Sequence, residues 1–249
     1  MHKNIKNIGK IMLKVSNLSK KLGDKEILKD ISFTLPSRGI IALLGPNGSG
    51  KTTLMRLLTG FYEPDSGSIS VFSHSLDSER SLALAQVAYV PESGGLYPEM
   101  SVYDYLKFMS EVKHVSSPDF VNRLNNLISK LELNSVINHK CEHLSKGFAR
   151  RVAIAGALIS APKFLILDEP GEGLDVRQKV NLRAFLKECS RSCAILISTH
   201  IMEDVEALAE RILLILDGQL LCDATPRELK LKAHQYSIEE SFFTLIKGQ

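Results

Sequence analysis

GIIALLGPNGSGKTTLMRLLTG, Gly39 to Gly60, is the stretch that decides the fold. It opens with an apolar run that shows no polar alternation, the pattern of a strand buried on both faces. The run stops at a glycine-rich loop and resumes with apolar residues at helical spacing. That is strand, loop, helix. The segment Gly45-Pro46-Asn47-Gly48-Ser49-Gly50-Lys51-Thr52 fits the phosphate-loop pattern of two spaced glycines ahead of a Lys-Thr pair. Each part has a chemical reason: glycines let backbone N–H groups curl around phosphates, Lys51 reaches the outer phosphates as a compact cation, and the Thr52 hydroxyl can ligate Mg²⁺.

Two further unalternated runs, KFLILDEP (Lys163–Pro170) and CAILISTH (Cys193–His200), have the character of parallel strands, with residues 177–190 as the crossover helix between them. Met12 to Leu35 instead alternates apolar and polar positions around LGDKE, as antiparallel strands at a sheet edge do. From Gly94 to Ile159 the β-branched runs vanish, and helical segments such as VYDYLKFMSEV and FVNRLNNLISKLEL take over. ILLILDGQLL predicts a hairpin turning at Asp217-Gly218. The fold class is therefore α/β, expected as one domain over 1–249: edge sheet and core in 1–92 and 160–221, a helical subdomain in 93–159, and a tail in 222–249. No internal repeat or low-complexity segment interrupts this order.

A chain of 249 residues can bury a full core, and its formal charge of +3 is too small to imply nucleic acid, though it suits work beside an anionic membrane surface. No apolar run approaches the roughly 18 residues that cross a bilayer. The longest, VAIAGALISA, is broken by Gly156. MHKNIKNIGK is basic without a following apolar segment, so the expectation is no secretory signal and residence in the cytoplasm. Cys141, Cys189, Cys193 and Cys222 form no CxxC pair and have no histidines at zinc spacing, which predicts reduced packing thiols.

The strand LILD ends in Asp168 with Glu169 next to it, the pair of acids a phosphate-loop hydrolase needs to hold the Mg²⁺ shell and to polarise water. His200 closes another strand on the same expected edge. Farther from these, LSKGFARRV (Leu144–Val152) opens a helix at Ser145, and such an end exposes unpaired N–H groups to an anion.

In this order the phosphate loop, LSKG helix, LILDEP, GLD and STH resemble the nucleotide-binding subunit of an ATP-binding cassette (ABC) transporter over nearly the whole chain. The resemblance implies a RecA-like phosphate-loop NTPase core with an antiparallel β edge subdomain and a helical subdomain. It implies that Asn47, Gly48, Ser49, Gly50, Lys51, Thr52 and Thr53 bind phosphates and magnesium, with Gly45 and Pro46 opening the loop. Asp168 would organise Mg²⁺, Glu169 would be the general base, and His200 would contact the γ-phosphate. Ser145 and Gly147 would act in trans on ATP held by a second subunit, and Asp175 would link the two sites across a homodimer. The implied protein is a peripheral ATPase at the cytoplasmic face of the membrane, serving a separate transmembrane permease and binding no nucleic acid.

Several positions depart from the family pattern. Leu22 in KKLGDKE replaces the aromatic of the adenine-stacking loop, and Glu92 in AYVPESGG replaces a glutamine that approaches the metal and γ-phosphate. Lys146 and Phe148 replace a glycine and a glutamine in the signature, and Glu172 stands where a small or hydroxyl residue is usual. GLYPEMSVYDYL, DGQLLCDATPREL and the ending SIEESFFTLIKGQ incline the resemblance towards an export system, although ESFFTLI equally suits an apolar tail packing on its own domain. A soluble cassette ATPase acting on ribosomes or DNA is the second reading, and no sustained heptad supports it. A GTPase or small-molecule kinase lacks an NKxD-type motif and leaves LSKG and STH unexplained.

Base stacking on an aromatic is worth on the order of 1–3 kcal/mol, so Leu22→Tyr is expected to tighten ATP binding and sharpen its preference over GTP. Titrations showing both unchanged would refute a stacking role for this position.

Overall fold

The computed structural model describes residues 11–247, so the MHKNIKNIGK start lies outside the described residues. The alternating N-terminal segment forms β1 (Ile11–Leu22) and β2 (Lys25–Pro36), paired antiparallel. β3 (Gly39–Leu44) follows and leads through the glycine loop into α1 (Lys51–Leu58). Then come β4 (Ser66–Val71), β5 (His74–Ser75), the short α2 (Arg80–Leu84) and β6 (Val87–Val90). Three helices occupy the region where β-branched runs vanish: α3 (Val102–Val112), α4 (Ser117–Lys130) and α5 (Lys146–Leu158). Each begins at a serine, Ser101, Ser116 or Ser145, whose hydroxyl accepts a backbone N–H three residues on and so satisfies one orphan donor of the first turn.

The chain then returns to strand with β7 (Phe164–Asp168), crosses through α6 (Val176–Cys189) to β8 (Ala194–Ser198), and continues with α7 (Met202–Leu208) and the hairpin β9 (Arg211–Leu216) and β10 (Gln219–Ala224). The expected tail is two helices, α8 (Pro226–Ala233) and α9 (Ile238–Lys247). Ile238, Ser241 and Phe242 of α9 are buried, so ESFFTLI packs on its own domain.

Two sheets result. One is four-stranded and antiparallel in the order β2-β1-β4-β5; the other is six-stranded in the order β10-β9-β3-β8-β7-β6. In the second, β6, β7, β8, β3 and β9 run parallel, and only β10 is antiparallel. Every residue of β3, β7 and β8 is buried, which is why none of these strands alternates in sequence. The pleat divides them between two cores. Ile40, Ala42 and Leu44 join Leu165, Leu167, Ile195 and Ile197 beneath the helices. Ile41 and Leu43 join Phe164, Ile166 and Leu196 beneath α1 and the antiparallel sheet.

The β9–β10 turn braces the glycine loop. Gly218 N donates to Ser49 O at 3.2 Å, and Lys29 N donates to Gly218 O at 2.8 Å. Asp217 and Gly218 have φ of 47° and 80°, both left-handed, as the Asp-Gly hairpin pattern requires. A Cβ on Gly218 would stand 2.4 Å from Ile27 O. Gly218→Ala therefore combines left-handed strain with a backbone clash and is expected to destabilise the protein by about 1–3 kcal/mol in thermal or urea unfolding. An unchanged unfolding midpoint would show that the turn is not held against β2.

Candidate nucleotide site

Parallel pairing sets Asp168 of β7 beside Ser198 of β8, and β3 on the other side of β8 ends in the glycine loop. All three strands thus deliver their carboxyl ends to one edge, where ligands of open α/β sheets bind. A cavity of about 550 Å³ opens there. From the loop and α1 it is lined by Asn47, Gly48, Gly50, Lys51, Thr52 and Thr53, and from the neighbouring strand ends by Glu92, Asp168, Glu169 and His200.

The loop is built for close approach. Gly45, Gly48 and Gly50 have φ of 157°, 80° and 108°. A Cβ on Gly45 would lie 2.3 Å from Ile215 O, and one on Gly50 would lie 2.6 Å from Leu28 Cδ2, so no side chain fits at either. The buried Ser49 hydroxyl has no hydrogen-bond partner among the described residues, and Lys51 Nζ donates to Gly45 O at 2.8 Å and Pro46 O at 3.0 Å. Burial lowers the pKa of Lys51, an effect partly offset by the carboxylates of Glu169 and Asp168. A cation between curled backbone donors and two acids suits a phosphate chain with its counter-ion.

Asp168 is 4% exposed, and its Oδ1 accepts from Ser198 Oγ at 2.6 Å. The hydrogen bond fixes the carboxylate and leaves the second oxygen for other partners. Glu169 Oε2 lies 3.0 Å from His200 Nδ1, although the two strand ends are far apart in sequence. Glu169 has φ of 50°, a left-handed conformation that a non-glycine residue adopts only under local constraint. Thr52, Glu92 and Asp168 supply oxygen donors, the ligand type that suits Mg²⁺. Among the described residues no three His, Cys, Asp or Glu side chains group closely enough to hold an ion alone. That donor set fits an ion completed by phosphate oxygens and water.

The remaining predicted residues stand elsewhere. Gly45, Pro46 and Ser49 shape the loop without lining the cavity. Leu22 sits at the β1–β2 turn, 39% exposed and outside the lining, where Lys25 and Ile27 of β2 face the cavity instead. Ser145 caps α5 and is exposed, and Gly147 packs so tightly on the next segment that a Cβ would meet Gly173 O at 3.0 Å. Asp175 caps α6 in a reciprocal capping box with Gln178. Neither Ser145 nor Asp175 reaches the cavity. Lys25, Ile27 and Ser198 were missed by sequence reading: Ser198 had a signal, as a polar residue closing an apolar strand, whereas the approach of β2 to the loop is tertiary and left none. The cysteines are free, and burial pushes the Cys189 and Cys193 thiols up to about 11 and 12, as inert packing groups.

Residues 28–172, which include the glycine loop, the LSKG helix and the Asp168-Glu169 pair, match the family described as ABC transporter. The chain belongs to the ABC transporter family. Among relatives, the SkfA peptide export ATP-binding protein SkfE of Bacillus subtilis is 36% identical over 85% of this chain and 88% of its own length. The sulfate/thiosulfate import ATP-binding protein CysA of Mesostigma viride is 34% identical over 86% of this chain and 62% of its own length. A solved structure of the ATP binding subunit of an ABC transporter superposes with a TM-score of 0.88 at 28% identity, covering 94% of this chain and 99% of that one. The cassette described above is thus an ATP-binding, ATP-hydrolysing subunit of this family.

Removing the donor to a buried carboxylate leaves it under-satisfied, a cost of about 1–3 kcal/mol, and Ser198→Ala is expected to lose that much stability in chemical denaturation. A midpoint equal to the parent's would show that water replaces the hydroxyl.

Proposed function

We propose that two copies close around ATP and that the pair drives a separate membrane permease, in the export direction. The observation that carries the dimer is the division of the site. The cavity holds the loop, both acids and His200, while Ser145 and Lys146 at the start of α5 are exposed and take no part in its lining. A helix start with exposed N–H groups stabilises a phosphate only if another chain brings that phosphate to it. Val176 and Val180 beside the Asp175 cap are 81% and 54% exposed, an apolar pair on the face that a second copy would cover.

In this reading Lys51 and the loop N–H groups hold the β- and γ-phosphates. Glu169 is the general base that takes a proton from the attacking water, and His200, in reach of Glu169, contacts the γ-phosphate. Thr52, Asp168 and Glu92 would hold Mg²⁺, which when bound neutralises phosphate charge. Ser145 and Gly147 complete the partner's site, so ATP holds the pair together and hydrolysis releases it.

No helix among the described residues is long and apolar enough to cross a membrane. In this reading the permease is a separate chain, and the cassette sits peripherally on the cytoplasmic face. A cavity of about 240 Å³ next to β6, lined by Leu84, Val87, Met109 and Lys113, offers a seat for a short cytoplasmic helix of that partner. Export is favoured by the peptide-export relative, which this chain covers more completely than it covers the import relative.

Loss of a general base typically costs roughly 10²–10⁴-fold in rate, so Glu169→Gln is expected to abolish steady-state turnover and to trap a dimer with MgATP. The tagged variant, recovered with MgATP from gently solubilised membranes of its host, is expected to bring a polytopic membrane protein in fixed ratio. Recovery only from the soluble fraction with ribosomes or DNA would overturn the permease while leaving the ATPase chemistry intact.

A further inference from the structure

α5 buries two arginines, Arg150 at 4% and Arg151 at 5% exposure. A guanidinium keeps its charge when buried, so each needs compensation on site. Arg151 finds it within the helical region: Nη1 donates to Leu131 O at 2.7 Å, Glu132 Oε2 lies 3.6 Å away, and the Phe148 ring lies under its guanidinium at 4.4 Å. Arg150 reaches out of that region. Its Nη1 donates to Pro91 O at 2.6 Å and lies 3.5 Å from Glu92 O, while Nε and Nη2 have no hydrogen-bond partner among the described residues. Burial lowers its pKa, partly offset by Asp168, Glu172, Glu169 and Glu92, the carboxylates of the nucleotide edge.

Arg150 also lines a second cavity of about 380 Å³ with Lys146, Glu92 and Glu172, and both glutamates line the nucleotide cavity as well. The Glu92 side chain is exposed, and no hydrogen bond or ion pair among the described residues holds it. Its aim therefore depends on its backbone. Pro91 O is the anchor, accepting from Gly94 N at 2.9 Å within the turn and from Arg150 across 59 residues of sequence. A buried cation donating to that carbonyl makes the stronger, charge-assisted contact.

We propose that Arg150 is a positioning residue for ATP hydrolysis: it ties the Pro91–Glu92 backbone to α5, keeps the Glu92 carboxylate on the nucleotide cavity, and so couples turnover in one chain's cavity to the seating of the helix that chain offers its partner. This rests on the reading of Glu92 as a residue of the nucleotide site.

A double-mutant cycle on the full chain tests it, with ATP turnover, the Mg²⁺ dependence of turnover, and the Mg²⁺ dependence of equilibrium ATP binding as readouts, the last expected to shift alike in Arg150→Gln and Glu92→Ala. Arg150→Gln is expected to lower kcat roughly tenfold and to raise the Mg²⁺ needed for half-maximal rate, with KM for ATP changed by less than about twofold. Glu92→Ala is expected to do the same, and the double variant to be no slower than Glu92→Ala alone, because the two act as one unit. Multiplying effects, or an Arg150→Gln loss with unchanged Mg²⁺ dependence, would overturn the positioning role and leave the Glu92 reading standing. A Glu92→Ala variant indistinguishable from the parent would remove that reading, and the inference with it. If Arg150→Gln does not fold, Arg150→Lys carries the same cycle, keeping the charge and one donor and so part of the rate. Failure of both to fold would assign Arg150 to structure alone.

Discussion

Burial of β3 on both faces is the constraint from which the rest of the molecule follows. Its side chains go alternately to two cores, so a slip of one residue would send every one of them to the wrong side. With the register locked between β8 and β9, the chain leaves the sheet at one place, and the glycine loop begins there. The same pairing carries Asp168 and Ser198 to the same edge from much later in the sequence. Cationic loop and acidic strand ends meet because the apolar strands beneath them have one way to pack.

Buried and half-buried polar groups around this frame then join parts that hydrophobic packing alone would leave loosely related. Ser198 holds Asp168, and Arg183 of α6 donates through Nε to Asp204 of α7 at 2.6 Å. Arg211 pairs with Asp223 through two donors across the β9–β10 hairpin, whose turn in turn supports the loop. α5 has two roles that its sequence separates cleanly. Ser145 and Lys146 at its start are exposed, while its arginines reach inward to the Glu92 segment and to the end of α4.

Much of this was legible beforehand, and for definite reasons. Wholly apolar runs marked β3, β7 and β8; alternation marked β1 and β2; Asp217-Gly218 marked the hairpin; and VYDYLKFMSEV matches α3 in both bounds. The cavity residues Lys51, Thr52, Asp168, Glu169 and His200 were legible because each closes or follows a strand, and parallel strands share one chemical edge. Other features had no local signature. The tail was read only as an apolar segment that could pack on its own domain; a capping box at Thr225 starts α8, and α9 buries Ile238 and Phe242 on the core. Lys25 and Ile27 reach the cavity through packing of the edge sheet, and Leu22, a neighbour in sequence, is not part of its lining. LSKGFARRV marks the start of α5, but nothing in it says what Arg150 and Arg151 bind. Their partners are backbone carbonyls far along the chain, to which no sequence pattern points.

The left-handed backbone of Glu169 carries a consequence for how the protein can change over generations. Such a conformation costs a non-glycine residue of order 1–3 kcal/mol, and glycine or asparagine would relieve it. On the proposal that Glu169 is the base, either replacement would also remove the group that takes the proton from water. Heat tolerance and turnover therefore select opposite residues at one codon. A lineage adapting to higher temperature must find its gains elsewhere, in the cores or on the surface, while this one uncomfortable residue is retained.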